Sequence, residues 1–212
     1  MSLEPTRTAD ERRTAYGQDR APTLVDRFGV WLSSRQIRRF VPSFRDLRIA
    51  DIGCGYHAKL VRPYLADVRE ATLIDVSLAP DLKTRPRVRA IEGHLPTALE
   101  HVPDAGVDVA LCTSVLEHLW EPLDCLRHMR RMLAPGGIAL VNVPSWSGKR
   151  YLEFSAFRLG LSPVSEMDDH KMYYDIAGLW PLLVRAGFTP SHIRCFTHKF
   201  GMNVFAACQV ER

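Results

Sequence analysis

The chain is 212 residues long, 46% hydrophobic and 25% charged, with a formal net charge of +4. That is enough for one α/β domain with a full core and too little for two, and the balance excludes a disordered or fibrous chain. Arginines before residue 50, among them Arg12, Arg20, Arg27, Arg35 and Arg45, are scattered between acids and apolar residues without a compact basic tract. Such scatter reads as a solvated helix face, so no nucleic-acid partner is expected, while an anionic small molecule or a peripheral membrane contact stays open.

Five cysteines, Cys54, Cys112, Cys125, Cys195 and Cys208, are odd in number and form no C-x-x-C pair. Buried, reduced thiols fit this better than disulfides or zinc, and no metal site is expected. The opening is polar and charged, without a signal-peptide pattern, and no apolar run approaches a membrane span. The expected compartment is the cytoplasm.

Along the chain, residues 1–20 are polar and read as frayed or loosely helical. From Pro22 to Val41, Leu24, Val25, Phe28, Val30, Trp31, Leu32, Ile37 and Phe40 recur at helical spacing, which predicts one or two amphipathic helices. Residues 1–42 thus form an N-terminal helical segment packing on a single domain, 43–212. Strand-like runs follow at 47–52, 71–76, 87–91, 107–112 and 137–143, separated by helix-compatible stretches at 57–67, 95–101 and 120–133. Strands alternating with helices predict a parallel sheet with right-handed crossovers. After Pro144 about thirty residues of mixed aromatic, small and charged character, near 145–174, read as a lid-like insertion. Helical spacing returns at 175–186 and stops at Gly187. Two last strands, near 191–197 and 203–210, flank the short link HKFG and should pair antiparallel.

The segment LRIADIGCGYHAKL, residues 47–60, carries the first chemistry. An apolar run closes on Asp51 and enters a Gly-x-Gly turn at Gly53 and Gly55, where the backbone can approach a ligand and a following helix would offer free N–H groups. A second apolar run, TLID, closes on Asp75 about twenty residues later, where a carboxylate can accept hydrogen bonds from ribose hydroxyls. An adenosine-type cofactor is expected. Three more segments fall at strand ends in the same cleft: IEGHLP at 91–96, DVALCTSVLEHLWEP at 108–122 and MLAPGGIALVNVPS at 132–145. In the second, Thr113, Ser114 and Val115 would line the cleft and LEHL would open a helix; in the third, Pro135-Gly136-Gly137 reads as a helix stop.

With these segments in hand, the chain resembles the class I S-adenosylmethionine-dependent methyltransferases, strongly over about 45–145 and less so over 170–212. The combination of V-L-E-H-L after the fourth strand and L-x-P-G-G before the fifth carries the likeness, which is nearest to the branch acting on small molecules. It implies a Rossmann-like, doubly wound α/β fold with a mostly parallel seven-stranded sheet and a C-terminal antiparallel hairpin. It implies S-adenosyl-L-methionine as cofactor and S-adenosyl-L-homocysteine as product. By the same resemblance Asp51 would sit near the methionyl amino group, and Gly53, Cys54 and Gly55 would pack on the methionine and ribose. Asp75 would bind the ribose hydroxyls, Val76 would lie against the adenine, His94 and Leu95 would flank the purine, and Thr113 with Val115 would close the cleft. His94 stands where the family often has an acid that meets the adenine amine, so here a backbone group would have to take that role.

The expected acceptor is a small molecule: a sugar or glycan intermediate, a quinone-like ring or another metabolite. His118 is the first candidate for a general base and His170 the second; Glu117 reads more readily as a structural partner. Two other readings stand beside the methyltransferase. Gly53 to Ala58 also satisfies G-x-G-x-x-A, the pattern of an NAD(P)-dependent oxidoreductase, although Asp51, V-L-E-H-L and the last hairpin argue against it. A cofactor-binding module without turnover would keep the same motifs.

Overall fold

The computed structural model describes residues 14–18, 24–149 and 171–212. Helix α1 (Leu24–Phe40) precedes β1 (Arg48–Ile52), β2 (Glu70–Asp75), the short α2 (Pro80–Lys83), β3 (Val88–Glu92), β4 (Val107–Thr113), α3 (Pro122–Met132), β5 (Leu133–Pro144), α4 (Ile176–Arg185), β6 (Ile193–His198) and β7 (Asn203–Gln209). The seven strands form one sheet in the order β3-β2-β1-β4-β5-β7-β6. β1 to β5 run parallel, and β7 pairs antiparallel with both β5 and β6. This is the doubly wound sheet that the family resemblance implies; the alternation of runs predicts its parallel part and the short HKFG link its terminal hairpin.

The strands read as continuous apolar runs because helices cover both faces. Successive residues alternate between two cores. Ala50, Ala110 and Val141 point to the layer holding Cys125, Leu126 and Met129 of α3 and Leu179 and Leu183 of α4. Ile49, Val109 and Leu140 point to the opposite layer, with Ile37 and Val41. The inward face of α1 is therefore Ser33, Gln36, Ile37 and Phe40, whose ring stacks on Phe196 and Phe205 at 6.1 and 6.0 Å. Phe28 and Trp31, at helical spacing too, fall on the other side; both are 52% exposed and stack on each other.

Two elements differ from the sequence reading. Residues 57–67 form successive turns with one 3-10 segment, Arg62–Tyr64, and not an α-helix. Pro63 lacks the N–H that a helix would donate and disfavours helical geometry at the residue before it, while Ala58 adopts φ 47°. The LEHL segment is likewise a single 3-10 turn, Leu116–His118, and α3 starts only at Pro122, where a proline suits the first helical turn. The Pro-Gly-Gly stop does end α3, but the chain enters β5 at once: Val107 pairs with Leu133 and Val109 with Ile138, so residues 134–137 bulge between them.

Candidate active site

β1 is the strand at which the order reverses, with β2 on one side and β4 on the other. Open parallel sheets bind ligands beyond the carboxyl ends of the strands at such a point. A cavity of about 400 Å3 lies there. Its walls come from the β1 turn, the end of β4, α1, the segment around Tyr16 and the turn between β6 and β7.

Asp51, the penultimate residue of β1, is 2% exposed and its Oδ2 has no hydrogen-bond partner among the described residues. Burial, and after it the nearby Asp75 carboxylate, push its pKa up to about 8. An isolated buried carboxyl is costly unless something pairs with it. Next come Gly53 and Gly55 in left-handed conformations, φ 65° and 72°. A Cβ on Gly53 would meet Val115 Cγ2 at 2.3 Å, and one on Gly55 would meet the Tyr16 carbonyl oxygen at 3.1 Å. The glycines are thus required by packing on both sides as well as by backbone torsion. The Tyr56 N–H donates to that same Tyr16 carbonyl at 3.0 Å, so residues 14–18 are docked on the turn, where the sequence suggests a frayed end.

Asp75 braces the turn from β2. Its Oδ2 accepts from the Gly55 N–H at 2.7 Å and its Oδ1 from the Val76 N–H at 2.8 Å. Asp75→Ala should therefore loosen the glycine turn itself. We expect a loss of about 1–3 kcal/mol in urea unfolding, with faster amide exchange at Gly55. Exchange at Gly55 unchanged from wild type would show that the brace contributes nothing.

Of the residues singled out from sequence, Asp51, Gly53, Cys54, Gly55, Thr113 and His118 line the cavity together, as does Glu117, which is 1% exposed. Val115 is buried beneath Gly53, packing on the turn from below the wall. Asp75, Val76, His94 and Leu95 stand at the ends of β2 and β3, linked by the Gly93 N–H bond to the Asp75 carbonyl, outside the wall of this cavity. His170 lies outside the described residues, as does 150–170 of the lid-like insertion. The ends of that insertion are fixed: Ser145 bridges to Tyr174, and Lys171 and Met172 donate to the Glu117 carbonyl at 2.7 and 3.2 Å.

Two lysines of the wall escaped the sequence reading. Lys59 follows the glycine turn, and its Nζ is buried with no hydrogen-bond partner among the described residues. Lys199 comes from the β6–β7 turn, far along the chain. A single lysine in a polar stretch usually signals solvent, and only the fold brings these two to one cavity. All five cysteines are free, Cys112, Cys125 and Cys208 buried. No cluster of metal-ligating side chains and no helix long and apolar enough to cross a membrane occurs among the described residues.

The family model for the methyltransferase domain matches residues 25–196. The chain belongs to the methyltransferase-domain family. A protein of Mycobacterium tuberculosis named "Probable S-adenosylmethionine-dependent methyltransferase" is 29% identical over 179 residues, 82% of this chain and 61% of that protein. A ubiquinone biosynthesis O-methyltransferase of Caulobacter is 33% identical over 105 residues, 46% of this chain and 41% of its own length. This methyltransferase domain thus spans less than two thirds of the curated relatives it matches. Among solved structures, the 1,6-didemethyltoxoflavin-N1-methyltransferase of Burkholderia thailandensis, described with bound 1,6-didemethyltoxoflavin and S-adenosylhomocysteine, superposes with a TM-score of 0.62. The superposition covers 89% of this chain and 80% of that one at 16% identity, a likeness of fold.

Proposed function

We propose that this methyltransferase domain moves the sulfonium methyl group of S-adenosylmethionine to a small-molecule acceptor. The observation that carries the reading is the buried, unpartnered Asp51 Oδ2 at the head of the switch-point cavity. An α-ammonium group supplies the partner this carboxyl lacks. Lys59 Nζ, equally unpartnered on the same wall, suits the α-carboxylate of the same amino acid. An acid and a base that both lack partners fit a zwitterionic methionyl end, whereas a nicotinamide dinucleotide carries no ammonium group to donate to the Asp51 oxygen. Asp75, at the end of β2, would accept from ribose hydroxyls in this reading, and Val76, His94 and Leu95 would flank the purine.

The sulfonium supplies an electrophilic methyl carbon, so no covalent nucleophile is required of the protein. Held by Asp51 and Lys59, the cofactor would supply that carbon to an acceptor oxygen, nitrogen or carbon, its sulfur keeping the S–CH3 electron pair. The chain's part is to align the acceptor, exclude water and take the acceptor's proton. Alignment contributes up to ~7–11 kcal/mol in well-oriented systems. His118, on the cavity wall after β4, is our candidate to accept the proton, with His170 second. The likeness to a ubiquinone biosynthesis O-methyltransferase supports a metabolite acceptor, a quinone-like ring or a sugar intermediate among them.

Calorimetry with S-adenosylhomocysteine and with NAD tests the cofactor: heat from the first alone is expected, and selective binding of NAD would overturn the proposal. Incubation with methyl-labelled S-adenosylmethionine and candidate acceptors then separates an enzyme from a binding module. His118→Ala should lower kcat by roughly a hundred- to ten-thousand-fold with S-adenosylhomocysteine binding unchanged. Unaltered turnover would remove His118 from the role.

A further inference from the structure

The β6–β7 turn is an unusual place for a lysine. Lys199, Phe200 and Gly201 are consecutive left-handed residues, with φ 50°, 58° and 84°. For Lys199 and Phe200 that conformation is strained, and such strain persists only where surrounding structure enforces it. The enforcement is visible at Ser145, at the end of β5. Its Oγ donates to the Gly201 carbonyl at 2.6 Å and its N–H to the Met202 carbonyl at 2.9 Å. Gly148 lies so close beneath that a Cβ there would meet the Met202 oxygen at 2.2 Å. The turn is bolted in place, and it directs Lys199 inward: the ammonium lies 3.7 Å from where a Cβ on Gly29 of α1 would be, on the cavity wall.

No hydrogen bond or ion pair holds that ammonium among the described residues. Its pKa falls to about 8, through burial first, while the Glu117 carboxylate acts in the opposite direction. Were Glu117 a full partner, the pair would hold the lysine in or above its ordinary range; burial wins, so the charge is under-compensated. Neighbouring His198 is pushed down to about 4, by burial first and then by Lys199 and Arg39, which marks the same corner as electropositive. The acids on the described wall are Asp51 and Glu117, and the lysines are Lys59 and Lys199, so once a bound ammonium draws the proton off Asp51 the side-chain charges cancel. A bound S-adenosylmethionine adds a zwitterion, also balanced, and the sulfonium, which leaves one positive charge unmatched.

We propose that the acceptor carries an anionic oxygen group, a carboxylate or a phosphate, that docks on the Lys199 ammonium at the β6–β7 turn. The inference rests on the methyltransferase reading and names the substrate class for it. Lys199 serves there as a specificity residue: it adds a charge-assisted hydrogen bond to acids and leaves neutral analogues with a half-buried ammonium to desolvate.

The test uses the full chain saturated with S-adenosylhomocysteine and two pairs of probes that differ in charge, 4-hydroxybenzoate against its methyl ester and phenyl phosphate against phenol. Titration should show one anion bound about ten- to a hundredfold tighter than its neutral partner, and the pair that shows it tells carboxylate from phosphate. Lys199→Gln should abolish the preference and Lys199→Arg should retain it, while S-adenosylhomocysteine affinity moves less than about twofold in both. Equal binding within each pair, no binding by either anion, or a preference that survives Lys199→Gln overturns the proposal. Failure to bind S-adenosylhomocysteine in the first step would instead strike the methyltransferase reading, so the two failures are distinct.

Discussion

Asp51→Asn should make the ligand-free protein more stable and nearly blind to its cofactor. In the folded state the Asp51 carboxyl has a pKa of about 8, against an ordinary 3.8, because it is buried and faces Asp75. A raised folded-state pKa means that the folded protein binds the proton more tightly than the unfolded chain. The stabilisation from that proton is complete below about 3.8, shrinks as pH rises, and is gone above about 8. Asparagine removes the ionisable group, so the variant should gain on wild type progressively from pH 5 to pH 8, reaching about 1–3 kcal/mol. Thermal unfolding at the two pH values measures the gain. Binding moves the other way. Loss of the charge partner should weaken S-adenosylhomocysteine by about 2–4 kcal/mol, roughly thirty- to a thousandfold. Wild-type affinity should itself fall as pH drops below 8, by up to about tenfold per unit, because the carboxyl must first release its proton. A pH-independent affinity in wild type would sink this account of Asp51.

Gly53→Ala should be the most damaging small substitution in the glycine turn. The new methyl would be 2.3 Å from Val115 Cγ2, and the residue would have to hold φ 65°. Left-handed strain of ~1–2 kcal/mol and overpacking of ~1–3 kcal/mol together predict a loss of about 2–5 kcal/mol in urea unfolding. Combining it with Val115→Ala separates the two causes. The double variant should recover the steric part and keep the torsional part, since deleting the valine methyls does nothing for φ. Full recovery would mean that torsion is unimportant; none would mean that the valine contact is.

The sheet was legible because a strand buried on both faces leaves an unbroken apolar run, and five such runs closed on glycine, acid or turn residues. The element after β1 was not. Ala58, Val61, Leu65 and Val68 are all buried at helical spacing. Consecutive i to i+3 turns bury the same residues, and Pro63 decides between the two. At the site, residues next to strand ends were readable from spacing: Asp51, Gly53, Gly55, Thr113 and His118 do meet on one wall. Lys59 and Lys199 were not, since neither spacing nor composition tells a cavity lysine from a solvated one. The exposure of Phe28 and Trp31 shows the same limit in α1, where apolar spacing gave the helix but not which stripe faces inward.

The bridge between Ser145 and Tyr174 closes off the insertion like a drawstring, with Lys171 and Met172 tied to the Glu117 carbonyl beside it. Closing a longer or shorter loop across such a fixed neck costs little, since the entropy grows only with the logarithm of length. Evolution can therefore rewrite the stretch between the knots without disturbing β4, β5 or the glycine turn. The neck thus uncouples the length of chain it encloses from the sheet and the glycine turn, so that insertions and deletions there leave the switch-point cavity's rigid walls as they are.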